Sequence, residues 1–111
     1  MNAAELKQKE GEIILHQLKK DEFLILLDER GKMLSSESLA TFIEQKAGQS
    51  IQKLVFLIGG AYGVSEAVMQ RADFSWSLSS LVFPHQLVRL ILAEQVYRAC
   101  SIIRNEKYHH S

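Results

Sequence analysis

The chain has 111 residues, 47% of them hydrophobic, and its 13 basic and 13 acidic side chains leave no net charge. This length fits one domain, and no apolar run approaches the ~18 residues that a membrane-spanning helix needs. Zero net charge argues against a general nucleic-acid coat protein. The first residues are polar and then charged, unlike a signal peptide, so a cytoplasmic protein is expected.

The first half of the sequence predicts two helices and two strands. Apolar residues at helical spacing predict helices over residues 3–19 and 36–47, with Gly48 ending the second. Short continuous apolar runs predict buried strands over residues 23–27 and 54–58. A charged turn follows the first strand, and glycines follow the second.

The second half predicts a short helix over residues 65–71, then a strand or extended loop over residues 75–83 that closes at Pro84. The last helix, residues 87–103, is apolar nearly all round. A helix of this kind is buried on several sides. In a small domain, that indicates burial against the sheet and against a partner subunit.

The alternation of helices and strands predicts an α/β fold with a mainly parallel sheet and crossover helices. Residues 1–111 are expected to form a single domain of this class. Ligands of such sheets bind at the carboxyl ends of the strands. Those ends lie near residues 27, 58 and 83.

The most glycine-rich segment, residues 59–63, follows a predicted strand and precedes a helix. Glycines at such a place allow a ligand to approach the backbone closely. The segment matches neither a dinucleotide-binding GxGxxG motif nor a P-loop, so a phosphate cradle is not expected. A tight turn without any ligand explains the glycines equally well.

Three single residues each have an ordinary structural explanation. Cys100, the only cysteine, lies in an apolar helical pattern, so a buried structural thiol is expected and a cysteine metal site is not. His85 beside Pro84 is compatible with helix capping or with a group that reaches a ligand. Arg98 follows Glu94 by four residues, which suits a surface ion pair as well as an arginine at an interface or RNA groove.

The last residues, Tyr108, His109, His110 and Ser111, form a tail. Terminal segments are usually poorly ordered. Neighbouring histidines on an extended tail point in opposite directions and make a poor metal site. A tail with tyrosine beside histidine could instead supply acid–base groups to the pocket of a neighbouring subunit.

Taken together, the motifs of the second half form one ordered series. The series runs through residues 57–60, 63–65, 76–79, 83–86, Arg89, 94–99 and 108–109. It resembles the ribosomal large subunit methyltransferase H family over roughly residues 10–111, most densely from residue 54 onward. The resemblance implies a SPOUT-class α/β fold with a C-terminal trefoil knot and an obligate homodimer.

The resemblance also implies a reaction: methyl transfer from S-adenosylmethionine to N3 of a pseudouridine in 23S ribosomal RNA. Since a neutral protein has little affinity of its own for RNA, the assembled ribosome is the expected substrate. No metal is required. The proton on N3 must leave, which requires a general base or a group that stabilises the deprotonated base. The candidates are Tyr108, His109 and His85.

Particular residues take roles from the resemblance. Leu27 and Gly59 match positions that meet the cofactor. The loop that wraps the cofactor is matched by Leu78, Ser79, Ser80, Leu81, Val82 and Phe83. Pro84 and His85 match the turn into the knot's last helix, and Arg98 matches an arginine near the dimer site. The tail implicated in RNA binding or catalysis is matched by Tyr108 and His109.

The sequence departs from the family pattern in three places. Ala61 replaces a frequent proline, which should loosen the glycine-rich turn. The tail lacks the Lys or Arg that often follows Tyr-His. Family members also begin with a further strand and helix, so the sheet is expected to lack strands or to be completed by an upstream segment. The alternatives are a SPOUT relative acting on another RNA, such as tRNA, and a non-catalytic dimeric RNA-binding remnant.

Overall fold

The computed structural model describes residues 2–59 and 63–109. Four helices and three strands alternate along this part of the chain. They are α1 (Ala3–Gln17), β1 (Phe23–Met33), α2 (Ser36–Gly48), β2 (Leu54–Ile58), α3 (Glu66–Arg71), β3 (Phe74–Ser77) and α4 (His85–Ile103). The predicted α/β order is confirmed. None of the helices in the described residues is long and apolar enough to cross a membrane.

The three strands form one parallel sheet in the order β2-β1-β3. The central strand pairs with β2 from Phe23 to Leu27 and with β3 from Ile25 onward. Parallel neighbours need crossover connections, which α2 and α3 supply. All three strands therefore end at the same edge of the sheet.

Both faces of the sheet are covered. On one face, Ile25 and Trp76 pack with Leu39 of α2 and Ala99 of α4 in a buried core. Leu24 and Leu26 alternate with Ile25, so they point to the other face, where both are fully buried. Burial on both faces explains why the first strand has a continuous apolar run rather than an alternating one.

Polar contacts fix the start of the central strand. Asp73 accepts a hydrogen bond from the Leu24 amide at 2.8 Å and is ion-paired with Arg71 at 2.9 Å. Arg71 also donates to the Glu22 carbonyl oxygen at 2.6 Å. The buried Glu22 carboxylate accepts from the Lys19 amide and pairs with Lys53, and these two contacts lower its pKa. The chain entering β1 is thus tied to both neighbouring strands.

At its other end, β1 makes an irregular excursion. Leu27 and Lys32 are both in register with Trp76, so residues 28–31 bulge out of the strand. Gly31 lies against the neighbouring strand, where an added Cβ would be 2.5 Å from the Ser75 carbonyl group. No side chain fits at that distance, so glycine is required for β1 to return to the sheet.

The element boundaries differ from the predictions in a few places. The strand expected over residues 75–83 is only Phe74–Ser77, and the following residues form an irregular loop up to α4. α4 begins two residues early, at His85, with Pro84 as its N-cap. α2 ends at Gly48 as predicted, although the left-handed residue beyond it is Ser50, with φ 67°.

The last helix was predicted to be buried against the sheet and against a partner subunit, and the single chain covers its inner side. Leu87, Leu90 and Tyr97 are 40–66% exposed, so α4 presents an apolar face to solvent in the single chain. Cys100 is half-buried rather than fully buried. The thiol that was predicted to be buried is therefore only partly covered, because α4 is covered only on the side that faces α2 and the sheet.

The tight fit of Gly31 gives a direct test of the fold. Gly31→Ala should lower the free energy of unfolding by about 1–3 kcal/mol, since the new methyl group meets backbone atoms that cannot move without breaking β1–β3 pairing. Gly48→Ala is the matched control: it has no heavy atom within 4 Å and occupies a helical position, so it should leave stability unchanged or slightly raised. Urea denaturation of both variants measures the difference, and equal stabilities would contradict the register described here.

Candidate active site

A cleft of about 460 Å³ opens at the carboxyl edge of the sheet. Its walls come from the ends of all three strands, the loop after β3 and the first turn of α4. This is where parallel α/β sheets bind ligands, because the strand ends and their loops leave a crevice there. The volume lies within the range of small-molecule and cofactor sites.

Seven of the eight residues expected to meet the cofactor line this cleft. They are Leu27, Gly59, Leu78, Ser79, Leu81, Val82 and Phe83. Ser80 does not line it and is exposed. The loop thus turns most of its side chains towards the cleft and Ser80 away from it.

The glycine-rich turn forms part of the floor. Gly59 and Gly63 both line the cleft, and Gly63 has φ 83°, a left-handed conformation that favours glycine. A Cβ on Gly59 would lie 3.1 Å from Val64 Cγ1. The middle of the turn, including Ala61, lies outside the described residues.

Sequence reasoning missed the charged rim formed by the excursion of β1. Asp28 and Arg30 line the cleft and are joined by two side-chain hydrogen bonds of 3.0 and 3.2 Å. Asp28 also accepts from the Arg30 amide at 2.9 Å. These Arg30 contacts hold the pKa of Asp28 below its usual range, so the rim carries a carboxylate at neutral pH. In the sequence, Asp28 directly follows the predicted buried strand of residues 23–27, and this position was the available signal of a group at the cleft.

Trp76 also lines the cleft, at the wall between β1 and the loop. Its side chain is buried, and its Nε1–H has no hydrogen-bond partner among the described residues. A buried donor without a partner is costly and often marks a place where a ligand or water binds. The sequence motif at residues 76–79 contained this tryptophan, but its indole could not be placed without the register.

The loop after β3 is held by short local contacts. The Ser77 hydroxyl donates to the Ser79 carbonyl oxygen at 2.8 Å, and the Ser79 hydroxyl accepts from the Leu81 amide at 3.0 Å. Leu81 and Val82 remain 66% and 78% exposed. Apolar side chains on a preformed loop beside a cleft are suited to cover an apolar part of a ligand.

A smaller cleft of about 200 Å³ adjoins the first and shares Gly59, Gly63 and His85 with it. Lys7 and Arg89 contribute further basic groups to this cleft, and Glu10 an acidic one. The start of α4 also lies here, and Pro84 provides no side-chain cap for it. This corner of the molecule therefore favours an anionic group.

The tail folds back onto the far end of α4. Tyr108 stacks edge-on against Tyr97, with ring centroids 4.7 Å apart, and lies under the Arg98 guanidinium at 4.9 Å. Its hydroxyl donates to Glu94 at 3.3 Å. Arg98 donates to the same carboxylate at 3.1 Å, and this contact raises the pKa of Arg98. The ion pair suggested by the i, i+4 spacing is confirmed.

His109 lies between two helices. Its Nδ1 is 3.0 Å from the Arg98 guanidinium, and its Nε2 is 3.0 Å from the Glu37 carboxylate at the start of α2. The His109 contact is the largest cause of a lowered pKa for Glu37. The next two residues, including His110, lie outside the described residues.

The tail and the cleft of one chain are far apart. His85 lines the cleft at the first residue of α4, whereas Arg98 lies 13 residues further along the helix, or about 20 Å at 1.5 Å per residue. Neither Tyr108 nor His109 lines the cleft. The two groups of predicted site residues are therefore not brought together within one chain.

Comparison with known proteins identifies this architecture. A family model described as a predicted SPOUT methyltransferase matches residues 1–109. Curated relatives carry the name ribosomal RNA large subunit methyltransferase H. The protein of Christiangramia forsetii is 50% identical over 104 residues, which are 94% of this chain and 66% of the relative. That of Parabacteroides distasonis is 47% identical over 110 residues, 99% of this chain and 70% of the relative.

The protein of Bacillus pumilus is 51% identical over 104 residues, 94% of this chain and 65% of that relative. The chain thus spans about two thirds of the length of the curated relatives that it matches. The expected resemblance is confirmed: the chain belongs to the SPOUT methyltransferase family, among the relatives named ribosomal RNA large subunit methyltransferase H.

Proposed function

We propose that the chain is an S-adenosylmethionine-dependent methyltransferase that modifies N3 of a pseudouridine in 23S ribosomal RNA, on the assembled ribosome. The observation that carries the proposal is the cleft at the carboxyl edge of the sheet, lined by seven residues that match cofactor positions of the family. The relatives' names supply the class of RNA.

The residues of the cleft suit S-adenosylmethionine. A buried indole N–H without a partner can donate to a polar ligand atom, and the Asp28 carboxylate on the rim can accept from hydroxyl or ammonium groups. The exposed Leu81 and Val82 can cover a planar heterocycle. When bound, this cofactor supplies an activated methyl group, so the protein's part is alignment and proton removal.

The separation of cleft and tail supports a homodimer. If one reaction uses both, the tail must come from a second copy, because the two lie about 20 Å apart along α4 in a single chain. The exposed apolar side chains of Leu87, Leu90 and Tyr97 offer α4 as the interface. We also propose that the chain has the family's trefoil knot, which helix α4 and the loop between β3 and α4 would form together.

The group that removes the proton from N3 of the pseudouridine is either a residue of the tail or His85. The Tyr108 hydroxyl is hydrogen-bonded to Glu94 and lies beside Arg98, so a proton can pass towards a carboxylate while a fixed cation stabilises developing negative charge. His109 holds the same arginine from its other side. His85 lies at the junction of the two clefts and is the remaining candidate base.

The RNA partner fits the distribution of charge. Lys7, His85 and Arg89 around the smaller cleft can contact a phosphate beside the reacting base. With no net charge on the whole chain, such a local contact gives weak affinity for free RNA, which favours a preassembled, shape-defined substrate. A protein that acts on ribosomes would work in the cytoplasm.

Methyl transfer tests the proposal directly. Ribosomes that lack the modification should incorporate labelled methyl groups from S-adenosylmethionine, and reverse transcription should stop at one 23S pseudouridine, because a methyl on N3 blocks base pairing. Transfer to tRNA instead would favour a SPOUT relative with another substrate. A folded chain that transfers methyl groups to neither RNA would contradict the proposed activity and favour a non-catalytic RNA-binding role.

Mixed dimers test the shared site. Gly59→Leu should fill the cleft, and the double variant Tyr108→Phe/His109→Ala should disable the tail, so each homodimer should lose nearly all activity. After co-expression, half of the dimers are mixed and each holds one intact site, so activity should return to about one quarter of the wild-type value. No recovery, with dimers of both variants intact by light scattering, would contradict a site built from the cleft of one copy and the tail of the other.

A further inference from the structure

The segment that holds the tail is the first turn of α2, which no part of the proposed function has used. Glu37 lies there and meets His109 although 72 residues separate them in the chain. The His109 side chain is only 16% exposed, so it is packed between the two helices rather than loose on the surface. A contact of this kind restricts where the tail can lie.

The hydrogen-bond chemistry fixes the state of the imidazole. Arginine has only donors, so the Arg98 guanidinium can approach His109 Nδ1 at 3.0 Å only if that nitrogen presents a lone pair. A neutral imidazole then carries its proton on Nε2. That proton points at the Glu37 carboxylate, 3.0 Å away, which accepts it. Both ring nitrogens are therefore occupied.

A second chain of hydrogen bonds links the same two helices. The Ser36 hydroxyl donates to Gln95 at 2.7 Å, and the Gln95 amide donates to Glu94 at 2.9 Å. Glu94 in turn accepts from Arg98 and from the Tyr108 hydroxyl. The start of α2 thus orients both residues of the tail, one through each chain of contacts.

We propose that Glu37 is a positioning residue, which together with Arg98 holds His109 as its neutral Nε2–H tautomer and so places Tyr108 against Glu94. This inference rests on the proposed function and assigns His109 an orienting rather than an acid–base role. The charged groups facing His109 are Glu37 from α2 and Arg98 from α4, with Glu94 beyond Arg98.

Nitrogen-15 NMR of the full chain, with methyl transfer measured in parallel, tests the proposal. In the wild type at neutral pH, His109 should show the Nε2–H tautomer and a ring N–H signal protected from exchange with water. Glu37→Ala should lose that signal and lower kcat/KM about tenfold or more, because the tail is no longer held in place. Glu37→Gln keeps an acceptor for Nε2–H, so it should retain the tautomer and most of the activity.

Glu44→Gln, an exposed residue of the same helix, is the matched control and should change neither the spectrum nor the rate.

An Nδ1–H tautomer in the wild type, or a Glu37→Ala variant with unchanged spectrum and rate, would overturn the proposal. Failure of the proposed function is distinguishable from this. A wild type that shows the protected Nε2–H signal but transfers no methyl group would keep the placement of the tail and remove only its catalytic use.

Discussion

The parallel pairing of β1 with a strand on each side determines the rest of this structure. It aligns the carboxyl ends of all three strands at one edge and leaves room there for a cleft of about 460 Å³. The pairing is anchored at the other edge by Asp73, which accepts from the amide of the fully buried Leu24. Arg71 and Lys53 extend these contacts with ion pairs to Asp73 and Glu22, so the start of the central strand is held from both sides.

The regular strands support the cleft, and the irregular segments at their ends supply its rim. The excursion at residues 28–31 places a carboxylate on the rim, and it can exist only because Gly31 allows β1 to return beside β3. The loop after β3 carries apolar side chains to the opposite rim. A methyl-transfer enzyme needs such a fixed frame, since a misplacement of the reacting groups by about 1 Å can lower the rate roughly 100-fold.

Much of this could be predicted from the sequence, for reasons visible in particular elements. The run at residues 54–58 became β2 without change, because a strand covered on both faces requires continuous apolar residues. The short helix predicted to begin at Ser65 became α3, with the Ser65 hydroxyl as its N-cap. The cofactor role proposed for the loop after β3 came from its resemblance to a family, since periodicity alone indicated only a strand or a loop.

What could not be predicted depends on contacts distant in the chain. The role of Gly31 follows from its close approach to Ser75. The buried Trp76 Nε1–H without a partner follows from the register of β3. Glu37 gave no signal at all, because an exposed acid in the first turn of a helix is ordinary capping chemistry until His109 is found beside it. Helix α4 was expected to be buried against the sheet and against a partner subunit, and the single chain covers only its inner face.

The central claim, that the edge formed by the three strand ends binds the methyl donor, is tested most directly by calorimetry. Titration of S-adenosylmethionine into the folded wild-type chain should give one binding event per chain, and Gly59→Leu should abolish it while circular dichroism stays unchanged. Binding that is absent in a folded wild type, or equally strong in Gly59→Leu, would contradict this account.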